Sequence, residues 1–300
     1  MNFFLKIWQI IAPGRLIVFF RFILAPQSYK VRSKAVLDFY KKLDLQKEPA
    51  IIQEGIKFLK YHKYTPLPFK WTLKYEKYLP EVFYSEINQR FYVKFDNKNL
   101  YYPKHFTKTQ VIWATRSILK EQDQQSPHLY LTEQFQVEQG SIVVDAGVAE
   151  GNFALSVVEN AKKLYLIECD PEWVATLKVT FEPWKDKVIF VEKFLSDKSD
   201  ETSISIDDLL EADAHEKYFI KMDIEGYEKK ALAGMKKLIA GSDQIKMDIC
   251  TYHYPDDLTQ IESIIKKYGF NWNVSTGYLL FFQLNEEPRF RKALIRAQKS

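Results

Sequence analysis

Ser141-Ile142-Val143-Val144-Asp145-Ala146-Gly147-Val148-Ala149-Glu150-Gly151-Asn152-Phe153 reads as a strand, a tight turn and the start of a helix. Ile142 to Val144 is a β-branched run suited to a buried strand, and the two glycines permit a sharp reversal of the backbone. The same alternation continues outward from this stretch. Leu164 to Ile167, Val188 to Val191, Phe219 to Met222 and Ile245 to Ile249 are short apolar runs. Between them, Phe153 to Ala161, Pro171 to Phe181, Tyr227 to Ile239 and Leu258 to Tyr268 have helical spacing. Strands alternating with helices predict an α/β fold, with a doubly wound parallel sheet covered on both faces. Asn271 to Val274 and Tyr278 to Gln283 have no helix between them and are expected to form an antiparallel hairpin at the sheet edge.

In such sheets ligands bind at the carboxyl ends of strands, beside the point where strand order reverses. The turn lacks the third glycine of a dinucleotide fingerprint and carries two acids, Asp145 and Glu150. Acids repel a pyrophosphate. They suit a ligand with an ammonium and a sulfonium, as S-adenosylmethionine has. The second strand ends in Glu168, a carboxylate placed to accept hydrogen bonds from ribose hydroxyls, followed by Cys169-Asp170-Pro171. Asp170 is equally suited to capping the helix that Pro171 begins.

The third cluster is Phe219-Ile220-Lys221-Met222-Asp223-Ile224-Glu225-Gly226-Tyr227-Glu228. Alternation along a strand gives Lys221, Asp223 and Glu225 one orientation. A carboxylate there is placed to orient a methyl donor or to take a hydroxyl proton. After the fifth strand, Tyr252-His253-Tyr254-Pro255-Asp256-Asp257 brings a histidine to a strand-end loop. His253 as general base and His253 as a loop hydrogen-bonding group are both open, with Asp256 as the cap of the next helix. Asp223, Asp248 and His253 are the residues a cation would need, but Asp248 falls inside a strand, so no metal is expected.

VVDAGVAEGNF, LIECDP, SIDDLL and FIKMDIEGYEKKALAGM together resemble the FkbM family of S-adenosylmethionine-dependent methyltransferases, whose members mostly methylate hydroxyls of glycans and secondary metabolites. The resemblance covers the last half to three-fifths of the chain, with IKMDIEGYE its most specific part. It implies a Rossmann-like methyltransferase sheet closed by an antiparallel hairpin, with S-adenosyl-L-methionine as cofactor. It also implies that Asp145, Gly147, Gly151 and Glu168 contact that cofactor and that Asp223 and Glu225 line the transfer site. Glu150 stands where the family more often has Asn. The expected cofactor site is therefore Asp145, Gly147, Glu150, Gly151, Asn152, Glu168 and Asp170, and the expected catalytic set is Asp223, Glu225 and His253.

Before this domain, placed at 128–287, lies an extension, 1–127, expected to be mainly helical and to cap the site; 288–300 reads as a basic tail. Helices are expected on either side of Pro49 and over Thr109 to Lys120, with a hairpin of Arg90 to Phe95 and Leu100 to Tyr102 around Asp96-Asn97-Lys98-Asn99. The net charge of +4 conceals an asymmetry. Residues 1–130 hold 22 Lys and Arg against 10 Asp and Glu, a surplus able to attract an anionic small-molecule or glycan acceptor. The first 37 residues contain six basic side chains and no acid. Lys6, Pro13, Gly14, Arg15 and Arg21 interrupt the apolar run there, which argues against a secretory signal and against a spanning helix. Packing on the domain, packing on a second copy in a homo-oligomer and peripheral contact with anionic lipid stay open. Two cysteines cannot form a disulfide framework, so a reducing, cytoplasmic setting is expected. No base-methylation motif is visible, so nucleic acid is not an expected partner. The alternative to an enzyme is a non-catalytic relative acting at a membrane surface or in polysaccharide assembly.

Overall fold

The structure, a computed structural model, describes residues 26–283 and 286–299. The basic apolar segment before residue 26, for which packing and lipid contact were both open, lies outside the described residues. The N-terminal half contains Pro26–Tyr40 (α1), Ala50–Leu59 (α2), Leu73–Lys77 (α3), a small sheet of Val82–Ser85 (β1), Arg90–Phe95 (β2) and Lys98–Tyr101 (β3), and Lys108–Glu121 (α4). Each boundary has a local cause. α2 starts directly after Pro49, and Thr107 and Gln110 close a reciprocal capping box at the start of α4. Asp96 and Asn97 take φ values of 47° and 61°, the left-handed pair that a two-residue hairpin turn requires.

The second half carries the strand and helix alternation. Its strands are Ser141–Ala146 (β4), Ala161–Ile167 (β5), Val188–Val191 (β6), the short Phe194–Leu195 (β7) and Ser203–Ile204 (β8), Tyr218–Met222 (β9), Ile245–Cys250 (β10), Asn271–Val274 (β11), Leu279–Leu280 (β12), Phe290–Arg291 (β13) and Leu294–Lys299 (β14). The helices are Asn152–Val157 (α5), Pro171–Thr180 (α6), Ile206–Leu209 (α7), Glu228–Ala233 (α8), Lys236–Gly241 (α9) and Asp257–Lys267 (α10). Seven strands form one sheet in the order β11-β14-β10-β9-β4-β5-β6. From β10 to β6 neighbouring strands are parallel, and β14 runs antiparallel to both of its neighbours. The chain winds outward from β4 to β6, then returns to β9 on the other side of β4. That reversal puts the ligand crevice at the carboxyl ends of β4, β5 and β9.

Alternation along the strands feeds two cores. Val143, Leu164, Leu166 and Phe219 join Phe153 of α5, Trp173 and Leu177 of α6, and also Ile52, Val111 and Ala114 of the N-terminal half. Val144, Ile167, Ile220, Met222 and Ile249 point the other way, onto Ile206, Leu232, Leu238, Ile261 and Ile265. The extension therefore shares a core with one face of the sheet. Burial on both faces explains why these strands read as unbroken apolar runs.

Three details differ from the sequence reading. The antiparallel partner of β11 is β14, while Leu279 and Leu280 pair with Phe290 and Arg291 in a separate ribbon. Residues 288–300, read as a tail, thus supply β13 and a strand inside the main sheet. Tyr227 to Ile239 is two helices that part at Gly234, where a Cβ would sit 2.3 Å from the Ser196 carbonyl oxygen. The expected Asp256 cap makes no capping hydrogen bond, and Asp257 instead accepts from the Tyr254 N–H at 2.7 Å. Among the described residues no helix is long and apolar enough to cross a membrane.

Candidate active site

The glycine turn is held from beneath. Asp145 of β4 lies opposite Lys221 of β9, and both side chains are almost fully buried, with Lys221 Nζ 2.8 Å from Asp145 Oδ1. The same ammonium donates to the Gly147 carbonyl at 2.7 Å. Asp145, expected to meet the cofactor, is thereby neutralised inside the sheet, and its clearest role is to fix the turn through Lys221. Gly147 has φ +73°, and a Cβ there would overlap the Asp223 carbonyl oxygen at 1.9 Å. Its smallness lets the β4 turn and the β9 loop approach each other. Gly151, with φ +82°, similarly admits Leu177 of α6, 2.6 Å from where a Cβ would be. Glu150 and Asn152 are half-buried on the turn and at the start of α5.

Glu168 follows β5 and binds the two turns together. Its Oε2 accepts from the Ala149 N–H at 3.0 Å, and its Oε1 from the N–H groups of Cys169 and Asp170 at 2.8 and 2.9 Å. Burial raises its pKa above the usual value, against the lowering effect of those three donors. With Oε1 accepting two of these bonds and Oε2 one, Oε2 retains capacity to accept a hydroxyl. Asp170 is a helix cap, accepting from Glu172 and Trp173 N–H at 2.8 and 3.2 Å. Burial, helped by Glu168 and Asp170, pushes the Cys169 thiol up to about 12.

The acidic loop after β9 makes the other wall. Asp223 is fully buried and accepts from the hydroxyls of Tyr130 at 2.8 Å and Tyr252 at 3.0 Å. His253 Nε2 faces Asp223 Oδ1 at 3.4 Å and Glu225 Oε2 at 3.7 Å, while Nδ1 faces Glu228 Oε1 at 3.1 Å. Burial alone lowers a histidine pKa, but the charge of Glu228, with Asp223 and Glu225, holds this one well above its ordinary value. Glu225 and Gly226 both have positive φ, 59° and 94°, which swings the loop back toward His253. Arg291 fixes the His253 loop by donating to the Tyr252 and His253 carbonyls at 2.8 and 3.0 Å. Asp248 stays inside β10 beside Arg296 at 3.5 Å, away from this group, and burial raises its pKa.

Asp223, Glu225 and His253 are therefore brought together. The sequence reading gave no role to Tyr130, Tyr252, Glu228 or His128, whose Nε2 is 3.7 Å from Asp223. Tyr252 and Glu228 lay within quoted motifs. Tyr130 and His128 come from the connector before β4, where Pro127-His128-Leu129-Tyr130 stands out after a polar run.

A sheet that reverses order at β4, a carboxylate at the end of β5 and an acidic loop after β9 define a Rossmann-like domain of the methyltransferase kind. The methyltransferase FkbM domain matches residues 116–271, more than half of the chain, and the chain belongs to that family. No curated protein matches the chain. Among solved structures it is similar to methyltransferase FkbM from Methylobacillus flagellatus, at 19% identity and a TM-score of 0.44, over 62% of this chain and 54% of that one. The alignment thus spans about half the length of the Methylobacillus protein. Precorrin-6y C5,15-methyltransferase from Geobacter metallireducens aligns at 14% identity and a TM-score of 0.38, over 55% of this chain and 83% of that one. Magnesium protoporphyrin IX methyltransferase from Synechocystis, with bound SAM, aligns at 14% identity and 0.36, over 54% and 71%.

Proposed function

We propose that this methyltransferase uses S-adenosyl-L-methionine to methylate a hydroxyl of a glycan or secondary metabolite. The observation that carries the cofactor reading is Glu168. A carboxylate at the end of the second strand, held rigid by three backbone donors and left with accepting capacity on Oε2, suits a ribose hydroxyl. The cofactor supplies an electrophilic methyl group. The chain's own task is to align the acceptor oxygen with it and to receive one proton. Asp223, Glu225 and His253 face one another there; because its neighbours hold the His253 pKa well above its ordinary value, the carboxylates are the groups to receive that proton, and Tyr130 and Tyr252 hold the Asp223 carboxylate in one orientation. Bound there, the cofactor would supply the methyl group to the acceptor oxygen as the residues at the site take up the hydroxyl proton.

Calorimetric titration of the full chain with S-adenosylhomocysteine tests the cofactor reading. Wild type should bind, and Glu168→Gln should bind about 10- to 100-fold more weakly, the worth of one charge-assisted hydrogen bond at roughly 1.5–3 kcal/mol. Equal affinity in a folded Glu168→Gln protein refutes the ribose assignment, and absence of binding to wild type refutes the cofactor.

A further inference from the structure

We propose that Asp223, Glu228 and His253 bind a divalent transition-metal ion at the carboxyl edge of β9. Each offers one donor atom, and the three donors lie within 4.8 Å of one another. Sequence alone argued against a metal, since Asp248 was the third residue then available and it sits within a strand. In the structure Glu228 takes that place from the first residue of α8.

Burial and hydrogen bonding both suit a cation among these three groups. Asp223 and Glu228 are fully buried and His253 is 3% exposed. Burying carboxylates without a compensating charge is costly. Apart from His253 itself, whose pKa these carboxylates raise, the surrounding cations are engaged elsewhere: Lys221 with Asp145, Lys229 with Asp257, Arg291 with Glu286 and Arg296 with Asp248. Glu228 Oε2 has no hydrogen-bond partner, and the two ring nitrogens of His253 face carboxylate oxygens at 3.1 to 3.7 Å. Buried ligand atoms this near one another, one of them unpartnered, are what a central ion would organise.

The groups behind the cluster are those that orient metal ligands. The Ile224 N–H donates to Glu228 Oε1 at 2.9 Å, the Tyr130 and Tyr252 hydroxyls fix Asp223, and Arg291 holds the backbone carrying His253. Glu225, with its side chain 16% exposed, is the least buried carboxylate facing His253. Two carboxylate oxygens and one imidazole nitrogen suit zinc, manganese, cobalt or ferrous iron better than magnesium. This inference rests on the proposed transfer reaction only for the ion's purpose, which is to acidify a coordinated hydroxyl.

The test uses the full chain stripped with chelator, titrated calorimetrically with zinc chloride and manganese chloride, with the visible spectrum followed on addition of cobalt chloride. One ion per chain is expected. Asp223→Asn, Glu228→Gln and His253→Gln should each weaken binding by at least about tenfold. Glu228→Gln retains an acceptor for the Ile224 N–H, so it reports on the ligand rather than on folding. Wild type that binds S-adenosylhomocysteine but no ion up to millimolar concentration overturns the metal site and leaves the methyltransferase reading intact. Ion binding unchanged in all three variants also overturns it, by placing the ion elsewhere.

Discussion

Replacing Lys221 with methionine should destabilise the whole domain, because Lys221 is the buried counter-charge of Asp145. Methionine keeps much of the apolar stem, so the substitution mainly removes the ammonium. Asp145 is 0% exposed, and Lys221 Nζ is 2.8 Å away. Stripping one partner from a buried pair costs about 3–5 kcal/mol, since the other charge stays behind without water. Asp145→Leu should cost a similar amount by stranding the ammonium. The double replacement removes both charges and should lose much less than the two singles together. It will not recover fully, because Nζ also donates to the Gly147 carbonyl, and a charged hydrogen bond is worth about 1.5–3 kcal/mol. The singles then sum to about 6–10 kcal/mol and the double to a few, a coupling of at least about 3 kcal/mol. Against a net stability of about 5–15 kcal/mol, Lys221→Met removes a large fraction of it. Urea unfolding followed by circular dichroism gives all four free energies. A loss below about 1 kcal/mol for Lys221→Met, the value of a solvated pair, or strict additivity in the double mutant, refutes the reasoning.

Gly147→Ala should abolish S-adenosylhomocysteine binding and lower Tm, since its Cβ meets the Asp223 carbonyl at 1.9 Å; Gly140→Ala, with nothing within 4 Å, should show only the cost of its positive φ, about 1–2 kcal/mol. Equal Tm losses in the two variants would contradict the close approach. Lys217 and Lys246 hold Glu138 down to about 2 from its ordinary 4.5. A depressed carboxyl contributes stability that is present above its ordinary pKa and lost as pH falls from about 4.5 toward about 2. Because Glu138 is half exposed the contribution should stay below about 1 kcal/mol, and Glu138→Gln should flatten the acid limb of Tm against pH. An unchanged limb counts against the assignment.

The parallel strands were legible because burial on both faces writes itself as apolar runs, and β6 matches its predicted span. Helix starts were legible where chemistry marks them, as at Pro171. What escaped the sequence was contact between distant segments. Nothing in Leu294–Lys299 announces insertion between β10 and β11, since a six-residue strand with Arg, Gln and Lys reads as a polar tail. The acid pattern located the site, but not the roles within it. Asp145 looked like a ligand contact because the partner that neutralises it, Lys221, comes 76 positions later. Tyr130 was invisible as a site residue because its 2.8 Å bond to Asp223 spans 93 positions.

The place of β14 sets an order for assembly. Every strand it touches precedes it in the chain, so a growing polypeptide can pair β4, β5, β6, β9 and β10 while β10 still shows an open edge with Met247 and Ile249. Open apolar edges recruit other chains. Arg291, which secures the His253 loop, arrives with the same late segment. A chain cut at about residue 288 therefore loses the strand that joins β10 to β11 and, with it, the Arg291 donors of the His253 loop.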